Sequence, residues 1–227
     1  MSRRRLIAMS IAASILLALL GVSVTSHFSD RHAALPSEGN PSPIVAFYGD
    51  SYTLGTGASD PERRWSSQIA RERDWTEFNP SVNGLGFINN RSTFGAGDLP
   101  DLVIDSDPDI VFITMGLNDN FSYDASAHEI KTQIDDDFER ISSALPHARV
   151  IVVEPFWYTS ERPRSVDVII SWVRSAAATI GADYIPGASL WIEGHPEWMA
   201  EDGLHPNDLG YAEMARRMNA ELAVLGL

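Results

Sequence analysis

Short, continuously apolar runs alternate with longer amphipathic segments along the body of this chain. Apolar runs of this kind are typical of parallel strands buried on both faces, and the segments between them have the periodicity of helices. Strands are predicted at 43–48, 77–83, 109–115, 149–154 and 183–185, and helices at 60–73, 126–145, 165–180 and 207–224. Strands joined by right-handed helical crossovers form a parallel sheet covered on both faces. The sequence therefore predicts an α/β fold, a three-layer α/β/α sandwich.

Two of the apolar runs lead directly into short polar motifs. Gly49-Asp50-Ser51 follows the first run, and Gly116-Leu117-Asn118-Asp119 follows the run at 109–115. The carboxyl ends of parallel strands meet at one edge of the sheet, where open sheets of this class bind ligands. We therefore expect both motifs to line one crevice.

A third polar motif, Asp202-Gly203-Leu204-His205-Pro206, lies near the carboxyl terminus. A serine hydroxyl is a weak nucleophile until an imidazole takes its proton, and a carboxylate fixes the tautomer and orientation of that imidazole. Asp202 and His205 are three residues apart, so a tight loop can bring the carboxylate to Nδ1 while Nε2 faces Ser51. Together the three motifs predict a serine nucleophile, a base and an acid for ester hydrolysis.

With these motifs, residues 43–225 resemble the SGNH hydrolase family, also called GDSL-type esterases and lipases. The resemblance implies a flavodoxin-like parallel sheet and carboxylic ester hydrolase activity. It implies that Ser51 is the nucleophile and that Asp202 and His205 complete the triad. It also implies that the side-chain amide of Asn118 contributes to the oxyanion hole.

The family has a further oxyanion-hole donor, the backbone N–H of a glycine. In this chain it must come from Asn83-Gly84-Leu85-Gly86-Phe87, and we assign Gly86, with Gly84 as the alternative. The backbone N–H of Ser51 is the remaining donor. Loss of one such donor typically lowers turnover by about 10²–10³. Tyr52 departs from the family pattern, which has a leucine there, but that leucine has no chemical role.

His195 is the rival candidate for the general base, with Glu193 or Glu197 as its acid. The helix signal that follows His205, which begins with the capping residue Asn207, is missing after His195. The sequence therefore favours His205.

Several acidic residues raise the alternative of a metal site, since hard cations bind carboxylate oxygens. Residues 135–137 are all aspartate, but they fall on a predicted helix, where successive side chains point in different directions. Asp50, beside the nucleophile, is interpreted as supporting its loop by hydrogen bonding, and Asp119 is grouped with it as a supporting residue. The sequence predicts no metal and no other cofactor.

The first 26 residues are predicted to be a signal peptide or an N-terminal membrane anchor. Arg3, Arg4 and Arg5 precede an uncharged apolar run at 6–24, which is the pattern of export signals and approaches the length of a bilayer span. Residues 27–42 are predicted to be a linker and residues 43–227 the catalytic domain. We therefore expect an exported protein, extracellular or anchored to the outer face of the cytoplasmic membrane through residues 6–24.

Composition limits the partners. The 227 residues contain no cysteine, which excludes disulfides, thiolate metal sites and a cysteine nucleophile. The formal net charge is −14, and removal of the three arginines of residues 1–26 leaves −17. The negative electrostatic potential of such an acidic protein argues against nucleic acid as a partner and favours uncharged ester substrates over polyanions.

The sequence thus predicts an exported serine esterase, with a small molecule, a glycan ester or a lipid ester as the substrate. An alternative is a non-catalytic carbohydrate-binding or cell-envelope scaffold on the same fold. This alternative is motivated by aromatic residues expected near the site rim, namely Phe156, Trp157, Tyr158, Trp191 and Trp198. A metal-dependent phosphoesterase is a third, weaker alternative.

Overall fold

A computed structural model describes residues 41–94 and 97–227. Within these residues, five strands and six α-helices follow one another along the chain. The strands are β1 (Ile44–Tyr48), β2 (Thr76–Phe78), β3 (Ile110–Ile113), β4 (Arg149–Val153) and β5 (Asp183–Ile185). The helices are α1 (Ser51–Leu54), α2 (Trp65–Glu72), α3 (Leu99–Asp105), α4 (Tyr123–Ala144), α5 (Arg164–Ile180) and α6 (Asp208–Val224).

The strands pair in parallel in the order β2-β1-β3-β4-β5. β1 and β3 are neighbours, with Tyr48 level with Ile113, although β2 lies between them in the sequence. At such a switch point the loops that follow the two strands leave toward opposite faces of the sheet, and a crevice forms between them. The predicted α/β fold with its flavodoxin-like sheet is confirmed, and the motifs after β1 and β3 share this crevice.

The sheet is buried on both faces, as β1 illustrates. Phe47 packs edge-on against Trp65 of α2, with ring centroids 5.4 Å apart. The next side chain, Tyr48, points to the opposite face, where it packs against Phe87 and donates a hydrogen bond to Asp137 of α4 (2.5 Å). One core thus lies between the sheet and helices α2 and α6, and another between the sheet and helices α3, α4 and α5.

The helix predicted at 60–73 is divided into two pieces. Asp60 caps a 3₁₀ turn at Pro61–Arg63, but the backbone of Arg64 is extended and α2 begins only at Trp65. The Arg64 side chain forms an ion pair with Glu77 of β2 (3.2 Å). This tertiary contact lies outside the local helix pattern, so the division could not be read from that pattern.

β2 ends at Phe78, whereas the strand was predicted to reach residue 83. Pro80 follows two residues later; it has no N–H to donate to the ladder with β1, and its fixed φ favours a turn. The chain then curves toward the crevice and brings residues 84–89 beside the motifs that follow β1 and β3.

The later helices agree with the prediction to within a few residues, and Asn207 caps α6 by accepting from the N–H of Leu209 (2.9 Å). Helix α3 was not predicted. Its signal was present in the sequence, since Asp98 and Asp101 form a capping box at its start.

The predicted signal peptide or anchor at 1–26, and residues 27–40 of the predicted linker, lie outside the described residues. Among the helices at 41–94 and 97–227, none combines the length and the apolar character that a membrane span needs. The placement of the catalytic domain boundary at residue 43 stays a prediction.

Candidate active site

Ser51 begins α1 directly after β1. Asp50 is the N-cap of this helix, and its Oδ1 accepts a hydrogen bond from the backbone N–H of Tyr52 (3.0 Å). The backbone of Gly49 lies so close to Thr114 that a Cβ at this position would be 2.5 Å from the Thr114 hydroxyl oxygen. Ser51 is largely buried, and its backbone N–H, in the first helical position, has no acceptor within the helix. The end of β1 therefore presents a hydroxyl together with an available N–H.

Asp202 and His205, the predicted acid and base, lie side by side. Oδ2 of Asp202 lies 2.6 Å from Nδ1 of His205, and Oδ1 accepts from the backbone N–H groups of Leu204 and His205, both at 2.9 Å. The backbone N–H of His205 first, and then its ring, lower the pKa of Asp202 to about 2. An ionised Asp202 keeps the proton on Nδ1 and leaves the lone pair of Nε2 free to act as a base.

The loop that carries this pair contacts α1, the helix that begins at Ser51. The Tyr52 hydroxyl donates a hydrogen bond to the carbonyl oxygen of Leu204 (2.5 Å), and the Tyr52 ring lies 6.0 Å from the His205 ring. The hydrogen bonds found among the described residues do not include one between Ser51 Oγ and His205. Catalytic contacts of this type are often long before substrate binds and shorten in the Michaelis complex. The structure thus brings the loop of the predicted acid and base, the acid and base loop, to α1, which begins with the predicted nucleophile.

Asn118 lies between the Ser51 motif and the segment after β2. It follows β3 in a 3₁₀ turn at Asn118–Ser122 and is largely buried. Its Nδ2 donates to the carbonyl oxygen of Leu85 (2.9 Å) and, over a longer distance of 3.3 Å, to Oδ2 of Asp50. The amide is therefore anchored on one side, while its second hydrogen is held only weakly.

The two candidate glycines have different environments. The backbone N–H of Gly86, the predicted oxyanion-hole donor, donates to the carbonyl oxygen of Asn89 (2.9 Å). A Cβ on Gly86 would lie 2.5 Å from the Asp119 carboxylate, which explains the glycine by close packing. Gly84 has a left-handed backbone (φ 70°), and its N–H has no acceptor among the described residues. Of the two backbone N–H groups, that of Gly84 is therefore the one that is available as a donor.

Asp119 fixes the segment that contains both glycines. Its carboxylate is fully buried and accepts three backbone N–H groups, from Phe87 (2.8 Å), Ile88 (2.8 Å) and Asn89 (3.2 Å). Burial raises the pKa of Asp119, and the hydrogen bonds from the three N–H groups oppose this shift. All three contacting groups are hydrogen-bond donors, and donors of this kind favour the ionised form of a carboxyl group.

Asp50 is buried, and besides its capping bond it accepts a hydrogen bond from Asn118. Burial raises its pKa to about 7, the N–H of Tyr52 opposes this shift, and the nearby charge of Asp119 adds to it. The predicted supporting role of Asp50 thus corresponds to two contacts, one with the nucleophile helix and one with Asn118.

The rival pair also forms, but at another place. Nδ1 of His195 lies 2.7 Å from Oε1 of Glu197, and the His195 ring stacks on Trp198 at 3.5 Å. Both residues belong to the exposed rim around a 3₁₀ turn at Pro196–Trp198, and no hydrogen bond found in the described residues joins His195 to Ser51. What distinguishes the two histidines is the bond from Tyr52, the residue after Ser51, to the loop of His205, and this contact favours His205 as the base.

The acidic run on α4 does not converge on one point. Asp135 pairs with Lys131 at the surface (2.6 Å), whereas Asp137 is buried and pairs with Arg91 (2.6 Å). Across 41–94 and 97–227, no three His, Cys, Asp or Glu side chains are grouped so as to hold a metal ion.

The rim aromatics divide between core and surface. Phe156, Trp157 and Trp191 are buried, and Phe156 stacks on Tyr52 with ring centroids 5.7 Å apart. Tyr158 lines a depression of about 370 Å³ beside the acid and base loop. Trp198 precedes Met199, another of its lining residues. The residues that line the depression are Tyr158, Thr159, Ser160, Ile192, Gly194, His195, Pro196, Met199, Ala200 and Gly203. Three of the five residues that motivated a carbohydrate-binding scaffold therefore belong to the core.

Comparisons with known proteins show the family and the fold of the chain. The chain is 26% identical over 189 residues to the GDSL lipase Rv0518 of Mycobacterium tuberculosis, covering 77% of this chain and 79% of the lipase. Its fold is similar to that of the psychrotrophic esterase EstA from Pseudoalteromonas sp., with a TM-score of 0.65, 19% identity and coverage of 81% of this chain and 98% of the esterase. It is also similar to a family two carbohydrate esterase from Cellvibrio japonicus, with a TM-score of 0.61, 16% identity and coverage of 80% of this chain and 61% of that one. Residues 47–213 match the GDSL-like Lipase/Acylhydrolase family, and the chain belongs to this family of hydrolases.

Proposed function

We propose that this protein is a serine esterase that cleaves carboxylic esters through an acyl-enzyme intermediate. The observation that carries the proposal is the contact between two distant parts of the chain. The Asp202 and His205 pair, joined at 2.6 Å, lies on a loop that is hydrogen-bonded to Tyr52, the residue next to Ser51.

Acylation begins when Nε2 of His205 takes the proton of the Ser51 hydroxyl and Oγ attacks the ester carbonyl carbon. The carbonyl oxygen becomes negatively charged and is stabilised by hydrogen-bond donors that are already in place. We assign these donors to the backbone N–H of Ser51, the backbone N–H of Gly84 and Nδ2 of Asn118. Collapse of the tetrahedral intermediate breaks the ester C–O bond, and the leaving alcohol takes the proton from Nε2.

Deacylation follows the same proton path in reverse. His205 takes a proton from water, the hydroxide attacks the acyl carbon, and Ser51 leaves with the proton from Nε2. Asp202 stays ionised and stabilises the imidazolium in both steps. Asn118 exchanges its 3.3 Å contact with Asp50 for the oxyanion, while its 2.9 Å bond to Leu85 keeps the amide in place.

The Ser51→Ala variant tests the assignment. It should lose at least about 10³-fold of the kcat for p-nitrophenyl acetate and butyrate, with an unchanged circular dichroism spectrum, because the other groups cannot act without the nucleophile. A fluorophosphonate probe should label the wild type at Ser51 and leave the variant unlabelled. Activity of the variant equal to that of the wild type would disprove the mechanism. Activity that a chelator abolishes would support the metal-dependent alternative.

The substrate is proposed to be an uncharged ester of a small molecule, a glycan or a lipid. The depression beside the acid and base loop is open and has a mixed lining of polar and apolar residues, and the acidic body disfavours polyanions. A profile of kcat/KM over acyl chains of two to sixteen carbons, with acetylated xylan included, distinguishes these classes. A maximum at long chains would contradict a glycan acetyl ester and support a lipid.

Export is proposed from the basic flank and the apolar run at 6–24. Expression of the full chain followed by fractionation and N-terminal sequencing tests it. A mature protein that begins near residue 27 would indicate a cleaved signal, and an intact protein in the membrane fraction would indicate an anchor. Retention of the intact chain in the cytosol would disprove export.

A further inference from the structure

Tyr52 connects two parts of the site that are 152 residues apart in the sequence. It follows Ser51 in α1, its ring is fully buried, and its backbone carbonyl accepts a hydrogen bond from the indole N–H of Trp65 (3.1 Å). Its hydroxyl reaches out of the core to the carbonyl oxygen of Leu204, the residue before His205 (2.5 Å). Burial raises the pKa of Tyr52 well above its ordinary value, so the hydroxyl keeps its proton and acts as the donor.

The loop at 200–206 packs on Gly57, just after α1, where a Cβ would lie 2.5 Å from the carbonyl oxygen of Pro206, but it has few hydrogen bonds to the nucleophile side. Its remaining hydrogen bonds are local, such as the one from the N–H of Ala200 to the carbonyl oxygen of His205 (2.8 Å). Asp202 is half exposed, and its hydrogen bonds are all within its own loop. Within the part of the chain that the structure describes, the Tyr52 bond is the one hydrogen bond between α1 and this loop. The leucine that the resemblance assigns to this position could not make it.

We propose that the Tyr52 hydroxyl is a positioning group for the general base: it holds the loop at 202–205, and with it Nε2 of His205, over Ser51. This inference rests on the proposed serine esterase mechanism. A shift of the imidazole by a fraction of an ångström lengthens the proton transfer path, and small displacements of this kind are costly in catalysis. Tyr52 acts through His205 and does not itself contact the substrate.

The test compares Tyr52→Phe, which removes only the hydroxyl, with a matched control. Tyr211→Phe is that control, because Tyr211 is also fully buried and its hydroxyl also donates to a backbone carbonyl, that of Thr56 (2.7 Å). We expect Tyr52→Phe to lower kcat for p-nitrophenyl acetate about 3- to 10-fold, the value of one hydrogen bond, with KM within about twofold. Tyr211→Phe should keep kcat within about twofold of the wild type.

A His205→Ala background separates positioning from a general loss of structure. When His205 is present, Tyr52→Phe should slow the labelling of Ser51 by a fluorophosphonate about 3- to 10-fold. In the His205→Ala background the base is absent, so the same substitution should change the already slow labelling less than about twofold. An equal slowing in both backgrounds would overturn the proposal. So would an unchanged kcat of Tyr52→Phe, or an equal loss in Tyr211→Phe.

The failure of this inference is distinct from the failure of the proposed function. A fully active Ser51→Ala variant would end the esterase mechanism itself. An inactive Ser51→Ala variant together with a fully active Tyr52→Phe variant would end only the positioning role.

Discussion

Replacing Asp119 by asparagine should lower both the stability of the fold and kcat. The carboxylate accepts the N–H groups of Phe87, Ile88 and Asn89, and the same segment contains Gly84, the proposed oxyanion-hole donor. Asparagine keeps one oxygen acceptor and replaces the other with an NH₂ group, which faces a backbone N–H. At least one of the three hydrogen bonds is therefore lost, and two donors oppose each other in a buried place.

The expected size follows from these contacts. A buried N–H that loses its acceptor costs about 1–3 kcal/mol, and hydrogen bonds to a charged acceptor are at the upper end. The loss of one or two bonds thus lowers the free energy of unfolding by about 2–4 kcal/mol. For a domain of this size, that corresponds to a decrease in Tm of about 5–15 °C. If the segment moves enough to misplace the Gly84 N–H, kcat falls by about 10²–10³, the usual effect of one lost donor.

The measurement combines thermal unfolding with steady-state kinetics on p-nitrophenyl butyrate. Glu154→Gln is a matched control, because Glu154 also accepts two backbone N–H groups, from Gly187 (2.9 Å) and Ser189 (3.3 Å), but holds a different loop. We expect both variants to lose stability and only Asp119→Asn to lose kcat, with KM nearly unchanged. An Asp119→Asn variant that is destabilised but retains the kcat of Glu154→Gln would refute the reasoning about this segment.

Three further predictions concern neighbouring residues. Asp202→Asn should lower kcat by about 10²–10⁴, because the amide favours the wrong tautomer of His205; a change below tenfold in an ester assay would show that the aspartate is dispensable. Gly86→Ala should lower the free energy of unfolding by about 1–3 kcal/mol, because the methyl group meets the Asp119 carboxylate, and urea unfolding at wild-type stability would contradict the packing explanation. The pKa of Asp50 is raised from 3.8 to about 7, so between these values the folded state holds a proton that the unfolded state has released, and stability falls as the pH rises through this window. Asp50→Asn should remove this decline, which urea unfolding at pH 4.5 and 7.5 measures. If the free energy of unfolding changed by the same amount between these pH values in the wild type and in Asp50→Asn, Asp50 would be excluded as the source of the decline.

Much of the fold could be predicted because its signals are local. The strands of this sheet are buried on both faces and therefore appear as apolar runs, and Asn207 caps α6 with bonds that span three residues. The helix prediction at 60–73 failed where a distant contact competes with a local preference, since Arg64 leaves the helical conformation and pairs with Glu77. The strand prediction at 77–83 failed because it did not take account of a local signal, Pro80, before which β2 ends.

The candidate site divides in the same way. The Asp202 and His205 pair could be predicted, since three residues of loop and two backbone bonds are enough to form it. The choice between Gly84 and Gly86 could not, because it depends on which N–H finds an acceptor in the folded segment. The burial of Phe156, Trp157 and Trp191 was likewise decided by packing.

The sequence alone determined the class of fold, the order of the three motifs and the locally closed acid and base pair, because each depends on residues that are close along the chain. Only the tertiary structure decided which glycine N–H is available, what Asp119 holds and why a tyrosine can follow the nucleophile. These features arise from contacts between residues about 30 to 150 positions apart, as in the bonds of Asp119 to Phe87 and of Tyr52 to Leu204. Such contacts form only when the sheet and its loops are assembled, and no short pattern in the sequence encodes them.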